Sequence, residues 1–120
     1  MIVIGSEVAP NLMARIIVPR LLTPRRVQSR LPDTLEPIDI GDGIVAWREH
    51  NSDPTMPLAL FVHGFDGNNA QWSDIETVVR QSGYRAIFLD PPGHGSSQQG
   101  QCDPITFSNA VRASFEYFGP

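Results

Sequence analysis

The chain contains no lysine and only one cysteine, Cys102, among its 120 residues. A single thiol excludes an internal disulfide and any cysteine-based metal site, and it is compatible with a reducing compartment. No apolar run approaches the length a bilayer demands; Leu58 to Val62 is typical of the longest, so no membrane span is expected. Met1-Ile-Val-Ile lacks the basic start and extended apolar region of a secretory signal, which makes a cytoplasmic protein the expectation. A net charge of −4, with 18% charged residues, leaves no electrostatic footprint for a nucleic-acid partner. The hydrophobic fraction of 41% still suffices for a modest folded core, one domain at most. All nine basic residues are Arg, for which physical chemistry offers no reason.

Several chemical signatures are missing too. No Walker A sequence occurs, and Gln98 stands where a dinucleotide fingerprint built on Gly93 and Gly95 would need glycine. His63, His94, Asp66 and Asp90 are ligand types, but no H-x-H or H-E-x-x-H spacing joins them, so no metal and no cofactor is expected. Ser96 and Ser97 lie in no G-x-S-x-G context, which argues against either as a nucleophile. Cys102 precedes a helix cap that would lower its pKa, yet no base accompanies it, and a passive thiol is the reading.

What is present begins with an Arg- and Pro-rich arm over residues 1–34, in which five of the nine Arg fall before Asp33 against one acid, Glu7. Pro10, Pro19, Pro24 and Pro32 predict an irregular, extended arm without a long helix. Its Arg content and few acids slightly resemble a transit peptide or a phosphate-binding arm, but it reads rather as a solvated extension, or as an upstream start with Met13 as the true one. From Leu35 the pattern turns regular. Leu35 to Ile40 and Ile44 to Glu49 predict a hairpin around Gly41-Asp42-Gly43, and Leu58 to His63 predicts a buried strand. Ser73 to Gln81 predicts a helix with a Ser73/Glu76 capping box, ended by Gly83. Tyr84 to Leu89 predicts a further strand. A second helix follows, capped by Asp103 with Pro104 at its first position and Phe107, Val111, Phe115 and Phe118 on one face. The order, a β-hairpin and then β-α-β-α, predicts an α/β domain over residues 35–120.

Two segments carry the chemistry. His63-Gly64-Phe65-Asp66-Gly67 leaves the carboxyl end of a strand, where α/β sheets bind ligands. Gly64, without a Cβ, lets backbone pass close to a substrate, and a fixed N–H there is a donor for developing negative charge. Asp90-Pro91-Pro92-Gly93-His94-Gly95-Ser96-Ser97 leaves the next strand. Its glycines permit tight turns, and Asp90 can accept from N–H groups of its own loop.

Separated by a helix and a strand, this pair resembles the N-terminal part of the α/β-hydrolase family over about residues 35–118. Trp72 falls where that family often has an aromatic residue. The resemblance implies that the Phe65 N–H belongs to an oxyanion hole, with His63, Gly64 and Asp66 as its loop and Asp90, Gly93 and Gly95 as structural support. It implies an ester-like small-molecule substrate attacked by an activated nucleophile, Ser or Asp. It also implies that neither histidine is the catalytic one, which comes late in the family. Nucleophile, acid and catalytic histidine do not occur within these residues, so the 120-residue chain reads as a partial hydrolase, inactive alone. The strand that would neighbour residues 58–63 is likewise not among them, which predicts an exposed edge there, open to self-association or to a missing C-terminal half. A non-catalytic interaction protein retaining half of the fold stays open as the other reading.

Overall fold

The computed structural model describes residues 10–25, 31–72 and 74–119. Four strands, β1 (Leu35–Asp39), β2 (Val45–Glu49), β3 (Leu58–Val62) and β4 (Arg85–Asp90), form one sheet in the order β1-β2-β4-β3. The predicted hairpin is present: β1 and β2 pair antiparallel around Gly41, Asp42 and Gly43, which have φ of 110°, 53° and 71°. Only residues that tolerate the left-handed region turn the chain so tightly. β2 pairs antiparallel with β4, and β4 pairs parallel with β3. Helices α1 (Pro10–Leu21), α2 (Glu76–Gln81) and α3 (Pro104–Phe118) complete the α/β arrangement, with a single 3-10 turn at Asn69–Trp72.

Alternation along the strands serves two layers. Leu58, Leu60 and Val62 pack with Ile87, Leu89 and Ala46 against Ala110 and Phe118 of α3. On the opposite face Phe61 stacks on Phe88, with ring centroids 5.3 Å apart, and meets Trp72 at 5.5 Å. A parallel pair covered on both faces needs apolar residues at every position, which is why β3 reads as an unbroken apolar run. Among the described residues β3 pairs only with β4, and all five of its residues are half-buried.

Three local expectations are corrected. The arm is not wholly extended, since α1 spans 12 of its residues. Pro10 opens that helix, where an N–H is surplus, and Pro19 falls in its last turn, where its missing N–H forfeits the bond to the carbonyl of Arg15 close to the helix end. Helix α2 starts at Glu76 with Ile75 as an N-cap that makes no side-chain bond, so Glu76 is not the third residue of a capping box. Ser73 lies outside the described residues, as do Arg26 and Arg30 of the arm. Glu76 is instead buried, accepting from Thr34 Oγ1 at 3.4 Å. Helix α3 begins as predicted: Asp103 accepts from Thr106 N at 2.8 Å, and Thr106 Oγ1 accepts from Asp103 N at 3.0 Å. Of the residues expected on its apolar face, Phe118 is buried and Val111 packs on the core, but Phe115 is 51% exposed, and Ala110 and Ser114 are the other buried positions. The small residues at 110 and 114 let the helix axis approach the sheet.

The last turn of α3 is tied to the sheet by a side chain the pattern did not mark. Arg85, buried at the start of β4, donates to Phe118 O at 2.5 Å and to Met56 O at 2.9 Å. A guanidinium against helix-terminal carbonyls opposes the negative end of the helix dipole. No helix among the described residues is long and apolar enough to cross a membrane.

Candidate functional site

Because β3 and β4 run parallel, the loops that follow them emerge at the same edge of the sheet. The two motifs therefore meet there. His63 is 1% exposed, and its Nδ1 lies 2.9 Å from Gly64 O. A carbonyl can only accept, so Nδ1 carries the proton and Nε2 is a bare acceptor. Nε2 is buried and has no hydrogen-bond partner among the described residues. Gly67 N donates to Gly64 O at 2.9 Å, closing a tight turn that puts Phe65 at the tip, 46% exposed. A Cβ at Gly64 would meet nothing within 4 Å, so open space lies beside the turn. Asp66 holds a positive φ of 61°.

The second loop is built around the Asp90 carboxylate, 4% exposed. Its Oδ1 accepts from Asn69 Nδ2 at 2.8 Å, and its Oδ2 accepts from Trp47 Nε1 and Ser96 N, both at 2.9 Å. Asn69 Nδ2 also reaches Leu89 O at 3.1 Å. Gly95 (φ 49°) packs so closely that an added Cβ would overlap that carboxylate. At Gly93 (φ 76°) a Cβ would fall 2.6 Å from Gly100 O and 2.7 Å from Pro24. These two glycines answer to turn geometry and close approach together. Ser97 is fully buried, donating to Asp90 O at 2.5 Å and accepting from Val45 N at 2.8 Å, a role in tying the loop to β2.

His94 joins the two loops. Its Nε2 accepts from Asp66 N at 3.0 Å, and its ring stands edge-on to both Phe65 (5.7 Å, 86°) and His63 (5.1 Å, 65°). The arm closes over the same edge: Leu22 O accepts from Cys102 N at 2.7 Å, and Arg25 N donates to Asp66 Oδ1 at 2.7 Å. An apolar cavity of about 310 Å³ opens beside Phe65, between Leu22, Cys102, Pro104 and Phe107. A cavity of equal volume lies away from Phe65, between Ile44, Gln101 and Ala113. Trp47, Asn69 and Arg25 escaped sequence reasoning because each acts across 21 to 43 residues of chain.

Burial pushes the Cys102 thiol up in pKa, with Asp103 adding to it, so the cap does not activate it. Burial pulls the His63 pKa below its ordinary 6.5. The unfolded chain takes up a proton near that pH and the folded site resists it, so stability is full above about 6.5 and falls as the pH drops below it. Glu76 works oppositely, its pKa raised by burial and by nearby Glu49, so its ionisation costs stability as the pH rises. His63→Asn, which keeps a donor for Gly64 O, is expected to flatten the acid side of a urea-midpoint against pH curve while leaving the Glu76 contribution unchanged. An identical slope in both proteins would show that His63 is not the group responsible. Among the described residues no group of three or more His, Cys, Asp or Glu is set to hold a metal.

No family model matches the chain, and no solved structure matches it at a significant level. Over 44 residues, 37% of the chain, it is 39% identical to 2-succinyl-6-hydroxy-2,4-cyclohexadiene-1-carboxylate synthase of Enterobacter sp. (strain 638). It is 36% identical over the same length to the enzymes of that name from Escherichia coli (strain SMS-3-5 / SECEC) and Shigella dysenteriae serotype 1. The match spans 16% of the Enterobacter enzyme and 17% of the other two. These relatives are α/β-hydrolase-fold enzymes, and with the mixed sheet described above they support the resemblance of this chain to the N-terminal part of that fold.

Proposed function

We propose that residues 35–118 form the oxyanion side of an α/β-hydrolase-type active site, in which the Phe65 N–H stabilises charge developing on a substrate carbonyl oxygen. The observation that carries the reading is the placement of the Phe65 turn at the carboxyl edge of two parallel strands, beside open space and an apolar cavity. Preorganised backbone donors in such a place stabilise a developing oxyanion because they need no reorientation as the charge forms. Nucleophile, acid and catalytic base would come from polypeptide outside these residues, and the intact protein would act on an ester or similar bond. The relatives' name denotes a synthase of a carboxylate, so the bond class rests on the fold and the donor rather than on that name.

The polypeptide encoded beyond Pro120 is expected to present a nucleophile on a strand following α3. In that longer protein Phe65→Pro, which deletes the one N–H, is expected to lower kcat about a hundredfold with little change in KM. A reading frame without a nucleophile, or a Phe65→Pro enzyme with unchanged kcat, would overturn the reading. The first outcome would favour the non-catalytic interaction protein, which the half-buried edge of β3 supports.

A further inference from the structure

His94 is saturated by partners that each have one role. Pro92 O, 3.0 Å from Nδ1, can only accept, and Asp66 N, 3.0 Å from Nε2, can only donate. The ring is thereby fixed as the neutral tautomer with its proton on Nδ1. It is 1% exposed, wedged between the rings of His63 and Phe65. Asp66, whose N–H it receives, occupies the left-handed region that costs a residue with a side chain, so something must hold it there. The Gly64–Gly67 turn and the Arg25 bond to the Asp66 carboxylate contribute, but it is His94 that, among the described residues, grips the peptide directly after Phe65.

We infer that His94 is the positioning residue of the Phe65 turn. Its Nε2 lone pair fixes the Phe65–Asp66 peptide, and through it the direction in which the preceding N–H of Phe65 points. The inference rests on the proposed role of that N–H for its meaning, but not for its test. A residue that merely filled space would be replaced equally well by any ring. Here the requirement is an acceptor at one point, delivered by a side chain whose other end is tied to Pro92 O in its own loop.

The direct test is a scalar coupling across the hydrogen bond between the Asp66 amide nitrogen and His94 Nε2, measured on isotope-labelled chain, with ring nitrogen shifts reporting a proton on Nδ1. Two variants complete it. His94→Phe keeps a flat ring and removes the acceptor; it is expected to speed amide exchange at Phe65 and Asp66 by about tenfold or more, with Ile87 and Leu89 nearly unchanged. His94→Gln, which carries an amide oxygen near the position of Nε2, is expected to recover most of that protection. Absence of the coupling, or equal exchange in the Phe and Gln variants, would overturn the inference. None of these readouts involves turnover, so an inactive or unaffected longer protein bears on the proposed function and leaves the positioning role to be judged on its own.

Discussion

Asp90→Ala is expected to lower the free energy of unfolding by about 2 to 4 kcal/mol, enough to unfold much of the population of a marginally stable domain. The carboxylate is the common acceptor for Trp47 Nε1, Asn69 Nδ2 and Ser96 N. Removing it strands donors rather than deleting matched pairs, and the stranded donor is the costly outcome. Ser96 is exposed and its N–H regains water, so the loss falls mainly on Trp47 and Asn69. Asp90→Asn sharpens the test. All three partners are donors, so two acceptor oxygens are required and an amide offers one. Its NH2 must then face a donor, and the variant should fall between wild type and Ala in urea unfolding. An Asn variant as stable as wild type would show that the three bonds are not made together.

The second large effect concerns β3. The 13.2 kDa chain is expected to sediment as a dimer or larger species at micromolar concentration, pairing through the open side of that strand. Leu58-Ala-Leu-Phe-Val carries no charge and no proline, the devices by which edge strands usually resist pairing. Leu58, Leu60 and Val62 face the α3 layer, so the half-buried Ala59 lies on the other face, outside the cluster packed on that helix. Ala59→Lys should weaken association about tenfold or more while leaving the thermal transition nearly in place. Sedimentation as a clean monomer by the unaltered chain would remove the expectation outright, and an association untouched by Ala59→Lys would place the contact elsewhere.

Some of this organisation was legible in the sequence because it is local. Gly41-Asp42-Gly43 announces its turn, Asp103 with Pro104 announces its helix, and the apolar runs before His63 and Asp90 announce their strands. Two of the misreadings came from competition between local signals. Pro10 and Pro19 are helix breakers by type, but Pro10 opens α1, where no bond is lost, and Pro19 lies in its last turn, two residues before the helix ends. The phenylalanine stripe of α3 was the larger apolar signal, yet close packing favoured Ala110 and Ser114. The candidate site was legible as two loops, not as one construction. That Trp47 completes Asp90, or that His94 holds Asp66, depends on strand order and on pairings 43 and 28 residues apart. Hydrophobic periodicity carries no information about such partners.

The clasp formed by residues 22–25 bears on the order in which the molecule assembles. Its bonds join Arg25 N to the Asp66 carboxylate and Leu22 O to Cys102 N, and the two partners, Asp66 and Cys102, lie on loops that follow β3 and precede α3. Closing long stretches of chain costs entropy that nearby contacts must first offset. A segment that precedes the sheet in the chain is therefore expected to be fastened after the sheet has formed, adding its bond to Asp66 beside the Phe65 turn. A polypeptide beginning at Met13 would keep the whole clasp, whereas one beginning after Arg25 would keep the His94 bond to Asp66 and lose the arm's cover over that edge.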